Sequence, residues 1–252
     1  MEPMTIREIM DAVGGKLLGE FGDINRMVGR VETDSRTIHA GSLFVPLVGE
    51  RFDGHAYINA ALEGGAAGCF TQRERESYLP GKFYIKVDST QRALRDLAKY
   101  YKKKFPIPVV ALTGSVGKTT TKDMVAAVLG EKYRVLKTEG NLNNEIGVPM
   151  TLLRLSGEHE IAVLELGMNH AGEIDYLSAL VEPDVVLMTN IGDSHIEHFG
   201  SREKILEAKS EIFHHVKSGA FVVINGDDPL LNTLPGKLPY AFTRVGAGEG
   251  LD

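Results

Sequence analysis

Beyond Pro108 the sequence keeps one rhythm: a short apolar run, a polar or glycine-bearing turn, a helical stretch, and then the same again. Strands are predicted at residues 109–112, 133–136, 161–166, 185–189 and 221–224, with helices at 119–129, 172–181 and 202–216 between them. Near-continuous Val, Ile and Leu runs alternating with helices are what a parallel sheet buried on both faces requires. Such a sheet binds ligands at the carboxyl ends of its strands, so the loops after these runs are where chemistry is sought.

The first third of the chain reads differently. Residues 1–87 mix short apolar runs, at 43–48 and 83–87, with many glycines, which suits a small α/β domain closed by tight turns. From Asp88 the pattern turns helical: Leu94, Leu97, Ala98 and Tyr101 share one helix face until Pro106 and Pro108 stop it. The expected fold class is α/β throughout, a small N-terminal α/β domain over 1–87 followed by a parallel-sheet domain over 88–252.

Length and charge narrow the possibilities. A chain of 252 residues can bury one large or two smaller cores, and its single Cys69 excludes a disulfide scaffold and suits a reducing compartment. The first twenty residues interleave Glu2, Arg7, Glu8 and Asp11 with apolar residues, so no secretory leader is expected, and no stretch approaches the length of a membrane span. The net charge of −6 gives no footprint for a nucleic-acid backbone. The one basic cluster, Lys102 to Lys104, ends the predicted helix, where cations suit the dipole. A cytoplasmic protein with neither nucleic-acid partner nor membrane span is expected.

The loop after the first predicted strand reads Thr113, Gly114, Ser115, Val116, Gly117, Lys118, Thr119, Thr120. It follows a strand and opens a helix whose apolar face is expected at Met124, Val125, Val128 and Leu129. That is the setting of a phosphate-binding loop: glycines let backbone N–H groups approach an anion, Lys118 supplies a point charge, and the Thr119 hydroxyl can reach Mg²⁺. One position departs from the strict pattern, since Leu112 stands where its first glycine belongs. The domain is therefore expected to be a P-loop ATPase.

Later loops add groups that suit phosphate and metal. Glu165 closes an apolar run, where a carboxylate can hold Mg²⁺ or serve only as a turn acceptor. After the next run come Asn190, Asp193, His195 and His198. A closed zinc site is not expected, because no further Cys or His is suitably spaced. Asn190 and Asp193 resemble a guanine reader that lacks its usual lysine. Lys209 is the odd residue: wound as a helix, 202–216 puts it in the middle of the arc of Ile205, Leu206, Ile212, Phe213 and Val216. Either its stem snorkels to water, or burial lowers its pKa and leaves a nucleophilic amine able to add CO₂.

Taken together these strings resemble the Mur ligase family, ATP-dependent amide-forming enzymes of peptidoglycan precursor synthesis, from about Glu32 to Asp228. Two segments, 140–149 (Gly-Asn-Leu-Asn-Asn-Glu-Ile-Gly-Val-Pro) and 165–174 (Glu-Leu-Gly-Met-Asn-His-Ala-Gly-Glu-Ile), match the branch that joins D-alanyl-D-alanine to UDP-N-acetylmuramoyl-tripeptide. The resemblance implies ATP on Gly114 to Thr120, with Lys118 on the β/γ-phosphates and Asn141 and Asn144 nearby. It implies Mg²⁺ ions held by Thr119, Glu165 and His195, and a carbamylated Lys209 as a further metal ligand. Lys118, Lys209 and His195 are the residues it casts as catalytic. It also implies a uridine-nucleotide site at Thr33 to Arg36 and Gly49 to His55, with Ser35 and Arg36 as contacts, and a monomer. Family members carry a third, C-terminal domain that nothing here resembles, so the implied chain is a fragment. The alternatives are a sibling amide ligase, including one adding glutamyl units to a folate, a GTPase or P-loop kinase, and a non-catalytic nucleotide-binding module.

Overall fold

A computed structural model of the chain describes residues 1–49 and 52–248. Contacts divide it into two compact units, Met1–Lys104 with Leu152–Ser156, and Phe105–Thr151 with the remainder.

The first unit holds strands β1 (Met4–Thr5), β2 (Lys16–Leu18), β3 (Met27–Val28), β4 (Val31–Glu32), β5 (Leu43–Phe44), β6 (Val48–Gly49), β7 (Phe52–Asp53), β8 (Gly68–Thr71) and β9 (Phe83–Lys86). Its helices are α1 (Ile6–Val13), α2 (Ile58–Glu63) and α3 (Thr90–Lys102). Five strands form one sheet in the order β2-β9-β8-β5-β4. Thr5 and Glu8 form a reciprocal capping box at the start of α1, a device that stabilises a helix by about 1 kcal/mol. In α3, the periodic residues Leu94, Leu97, Ala98 and Tyr101 are buried, and the Tyr101 hydroxyl donates to the Leu155 carbonyl at 2.6 Å. The unit therefore runs to Lys104, past residue 87, because the helix read at the boundary packs within it.

The second unit holds β10 (Val109–Thr113), β11 (Val135–Lys137), β12 (Ile161–Glu165), β13 (Val185–Met188), β14 (Phe221–Asn225) and β15 (Ala241–Val245). Its helices are α4 (Lys118–Gly130), α5 (Gly147–Leu152), α6 (Glu173–Val181), α7 (Ile196–Phe199) and α8 (Arg202–Ser210). The six strands are parallel throughout, in the order β11-β12-β10-β13-β14-β15. From β10 the chain passes through α4 to one side, and from β12 through α6 to the other. The switch point therefore lies beside β10, where a doubly wound sheet opens its crevice. Neighbours β12, β10 and β13 end in Glu165, the phosphate loop and the 189–195 loop respectively.

Two sequence readings need correction. Met124 and Val128 of α4 are 65 % and 73 % exposed; the sheet instead receives Lys122 and Ala126, with Val125 and Leu129 half-buried. The buried stripe includes a long cation and a small residue, so hydrophobicity alone selects the wrong side. The Lys122 stem is buried while its ammonium lies 3.6 Å from the Asp123 carboxylate. The helix expected over 202–216 is α-helical only to Ser210 and tightens into a 3₁₀ turn at Glu211–His215. Ile205, Ala208, Lys209, Ile212 and Phe213 still fall on the buried side. No helix among the described residues is long and apolar enough to cross a membrane.

Candidate functional site

The phosphate loop is shaped by two glycines. A Cβ on Gly114 would lie 1.9 Å from the Thr189 hydroxyl, so the two loops approach only because this residue has none. Gly117, at φ 78°, adopts the left-handed conformation that turns the chain into α4. Leu112 lies within β10, paired with Glu165, and the turn begins only at Gly114, which accounts for the departure from the strict motif. The N-cap residue Gly117 has no side chain to cap α4, and among the described residues no other side chain accepts from its first N–H groups, which keep their capacity for an anion. The start of α6 differs: there the Glu211 carboxylate accepts from Gly172 and Asp175 N–H at 2.8 and 3.1 Å.

Around this loop the predicted residues converge. Lys118 Nζ donates to the Gly114 carbonyl at 3.0 Å, curling over its own loop. Burial lowers its pKa, and the nearby Glu165 carboxylate opposes that shift. Glu165 itself is 1 % exposed and held on every side. Its Oε2 accepts from the Thr119 hydroxyl at 3.0 Å, its Oε1 accepts from Asn143 Nδ2 at 2.7 Å, and its N–H donates to Thr138 Oγ1 at 3.0 Å.

Lys209 is 2 % exposed, so its stem does not snorkel. Burial, reinforced by the like charge of Lys118, pushes its pKa down to about 7. His195 has φ 65°, a backbone conformation rare for a residue with a side chain. Its pKa is lowered first by burial, then by Lys209, with Lys118 and His198 adding and Glu197 opposing. Lys118, Lys209 and His195 therefore sense one another at a single sheet end, in surroundings that favour neutral nitrogen at the last two.

Other assignments change on inspection. The Asn144 carboxamide caps α5 by accepting from Ile146 and Gly147 N–H at 3.1 and 2.8 Å, and the Asn141 carbonyl accepts from Asn143 N–H. Of the three asparagines, Asn143 reaches Glu165; nothing in the sequence distinguishes it from its neighbours. Asp193 is bound by both ends of the Arg202 guanidinium at 2.7 and 2.6 Å, and Asn190 by Val116, so the pair is not arranged to read guanine. Among the described residues no group of three or more His, Cys, Asp and Glu side chains gathers into a metal cage. The donor set instead suits Mg²⁺, which binds through one or two carboxylates and completes its shell with phosphate oxygens and water.

In the first unit, a cavity of about 630 Å³ is lined by Thr33, Asp34, Ser35, Arg36, Phe52 and Tyr57, among others. The Arg36 guanidinium grips Asp34 at 2.9 and 2.6 Å, holding that carboxyl down at about 2. Phe52 and Tyr57 stack with centroids 5.6 Å apart while remaining 52 % and 44 % exposed, an aromatic platform of which the sequence reading includes Phe52 but not Tyr57. Glu50 and Arg51 of the predicted segment, like residues 249–252, lie outside the described residues.

Comparison with known proteins agrees with this geometry. The chain is 46 % identical over 227 residues to the UDP-N-acetylmuramoyl-tripeptide–D-alanyl-D-alanine ligase of Bacillus subtilis, covering 90 % of the chain and 50 % of that protein. Against the Escherichia coli ligase of the same name the identity is 42 % over 228 residues, covering 90 % and 49 %. A crystal structure of MurF from Acinetobacter baumannii superposes with a TM-score of 0.90 at 36 % identity, over 100 % of this chain and 55 % of that one. MurF from Thermotoga maritima, solved in complex with ADP, gives 0.81 at 37 % identity, over 88 % and 51 %. The chain thus spans about half the length of the curated relatives it matches. The pattern of the Mur ligase family catalytic domain matches residues 28–102, and that of the Mur ligase middle domain matches residues 112–249, more than half of the sequence. The chain belongs to the Mur ligase family.

Proposed function

We propose that the chain forms the substrate- and ATP-binding parts of a cytoplasmic ligase that joins D-alanyl-D-alanine to UDP-N-acetylmuramoyl-tripeptide. The first unit, expected over 1–87 and extending to Lys104, serves the uridine nucleotide, and the second serves ATP. The observation that carries this reading is the buried Lys209 amine, whose charge Lys118 of the phosphate loop opposes, together with the sheet end where Thr119 meets Glu165. A simple nucleotide-binding module has no need of a desolvated second lysine.

A carboxylate is a poor electrophile, so the reaction begins with transfer of the ATP γ-phosphoryl group to the tripeptide carboxylate. The D-alanyl-D-alanine amine then attacks the acyl phosphate, and inorganic phosphate leaves. Two anions must meet in the first step. Lys118 and the first N–H groups of α4 hold the β- and γ-phosphates and offset their charge. Thr119, Glu165, His195 and carbamylated Lys209 are the residues that would hold Mg²⁺, which when bound supplies charge neutralisation to the phosphoryl oxygens. Asn143 fixes the Glu165 carboxylate and Thr138 its backbone N–H, so that little reorganisation accompanies the reaction. The cavity of about 380 Å³ beside α4, walled by Thr121, Leu187, Thr189, Val223, Asn225 and Val245, suits a flat base. In the first unit, Phe52 offers a face to uracil while Ser35 and Arg36 meet the diphosphate.

The test is phosphate release from ATP and Mg²⁺, run on this chain and on the whole reading frame of its gene. Release is expected only when both UDP-N-acetylmuramoyl-tripeptide and D-alanyl-D-alanine are present. Equal release with another amino acid, or with glutamate and a folate, would assign a sibling ligase. ATP binding without release under any condition would leave a non-catalytic module.

A narrower prediction concerns Asn143. Asn143→Ala removes the donor to Glu165 Oε1 and is expected to raise the Mg²⁺ concentration needed for half-maximal ATP binding about tenfold, the scale of one charge-assisted hydrogen bond. An unchanged Mg²⁺ titration would show that this bond does not set the carboxylate.

A further inference from the structure

Asn190, in the loop after β13, is spent entirely on the phosphate loop. Its Oδ1 accepts from Val116 N–H at 3.0 Å, and its Nδ2 donates to the Val116 carbonyl at 3.1 Å. The Asn190 carbonyl accepts from Ser115 N–H at 3.0 Å. The seam continues on both sides. Thr189 Oγ1 donates to the Val116 carbonyl at 2.8 Å, Gly192 N–H donates to Ser115 Oγ at 2.8 Å, and Ser194 Oγ donates to the Ser115 carbonyl at 3.3 Å. From beneath, the buried Asp228 carboxylate accepts from Ile191 N–H at 2.7 Å.

The next residue beyond this seam is His195, in its left-handed conformation. A strained backbone of this kind persists only where its surroundings over-determine it, and the stitched segment 189–194 supplies that determination. Gly114 belongs to the same device, because its missing Cβ lets Thr189 close on the loop. An amide with one donor end and one acceptor end satisfies both Val116 groups at once, which neither a carboxylate nor an apolar side chain can do.

We propose that Asn190 is a positioning residue that locks the phosphate loop to the His195 loop, so that the nucleotide phosphates and the His195 imidazole are held in one frame. The proposal rests on the ATP-binding reading above for its functional consequence, though the lock itself is independent of nucleotide.

The test therefore has two parts. In the nucleotide-free chain, Asn190→Ala should accelerate amide hydrogen exchange in residues 115–118 and 191–196 together, with the far-ultraviolet circular dichroism unchanged. Acceleration in only one segment, or in neither, overturns the lock whether or not the chain binds ATP. With Mg²⁺ and ATP, Asn190→Ala should weaken binding about tenfold. The double variant with His195→Ala should then lose no more than the larger single loss, because both act through one frame. Fully additive losses, or a changed preference between ATP and GTP, overturn the coupling. Absence of ATP binding by the unaltered chain would instead count against the proposed function, and the exchange result would still decide the lock. Should Asn190→Ala fail to fold, Asn190→Asp keeps the shape. It loses one donor and sets a charge against the Val116 carbonyl, so at least as large a loss of ATP affinity and the same paired exchange response are expected from it.

Discussion

Lys118→Ala is expected to lower the affinity of the chain for Mg²⁺ and ATP on the order of 100-fold, the usual loss when one preorganised cationic donor is removed from a phosphoryl site. The side chain is half-buried and, among the described residues, its hydrogen bonds are to carbonyls of its own loop, Gly114 at 3.0 Å and Ser115 at 3.4 Å. Fold stability therefore depends little on it, and calorimetric titration with ATP reads binding without the confusion of unfolding. Lys118→Arg is expected to fail nearly as badly. A compact ammonium fits between Gly114 and a phosphate, whereas a planar guanidinium needs a wider bay. Binding within threefold of the unaltered chain would refute the assignment of the loop. So would unchanged ATP-dependent phosphate release in a preparation that turns over.

How far the molecule could be read from its sequence depends on how each signal is encoded. The parallel strands β10 and β12 are legible because both faces are buried, which forces continuous apolar runs; β13 and β14 carry such runs too, although one face of each is only half-buried and Phe221 is exposed. Edge strand β15, Ala-Phe-Thr-Arg-Val, lacks such a run because its residues are exposed or half-buried, and it was not predicted. Helix α5 was also missed: Pro149 looks like a breaker, yet it sits in the first turn, where no intrahelical N–H is required. The phosphate loop, Glu165, His195 and Lys209 stand out in the sequence one by one; the fold sets the first three at or after the ends of the neighbouring strands β10, β12 and β13, and Lys209 in α8. The residues that orient them do not stand out. Asn143 and Thr138 act through single hydrogen bonds and Asn190 through a pair, all to residues far along the chain, and a polar side chain in a loop carries no periodicity to announce its partner. Tyr57 as the partner of Phe52 is hidden for a related reason, since stacking depends on a turn between them that sequence spacing does not reveal.

The severest test falls on Lys209. An ordinary lysine is neutral in roughly one molecule in 2,500 at pH 7, whereas a pKa of about 7 leaves roughly half of the amines neutral. Only the neutral amine adds CO₂, forming the N–C bond of a carbamate with loss of one proton to solvent. Carbamate occupancy should therefore climb as pH rises through 7 and fall as protonation takes over below it. Added bicarbonate should offset the fall. The sign for stability is the same. The folded state disfavours the proton and the unfolded chain accepts it, so the penalty is absent above the ordinary lysine pKa and grows as pH falls from about 10 toward 7. Lys209→Met keeps the buried volume without the amine, and Lys209→Ala leaves room for a small guest. Both are expected to reduce ligation by about 1,000-fold or more, in line with loss of a metal-positioning anion at the reacting phosphoryl group. Acetate or propionate should partly restore Lys209→Ala and leave Lys209→Met inactive, because only the first has space for the acid. A readout that needs no turnover is carbon-13-labelled bicarbonate, which should give a bound carbamate resonance in the unaltered chain and none in Lys209→Met. Full ligation by Lys209→Ala without additive, or an identical carbon spectrum in Lys209→Met, would remove Lys209 from the mechanism.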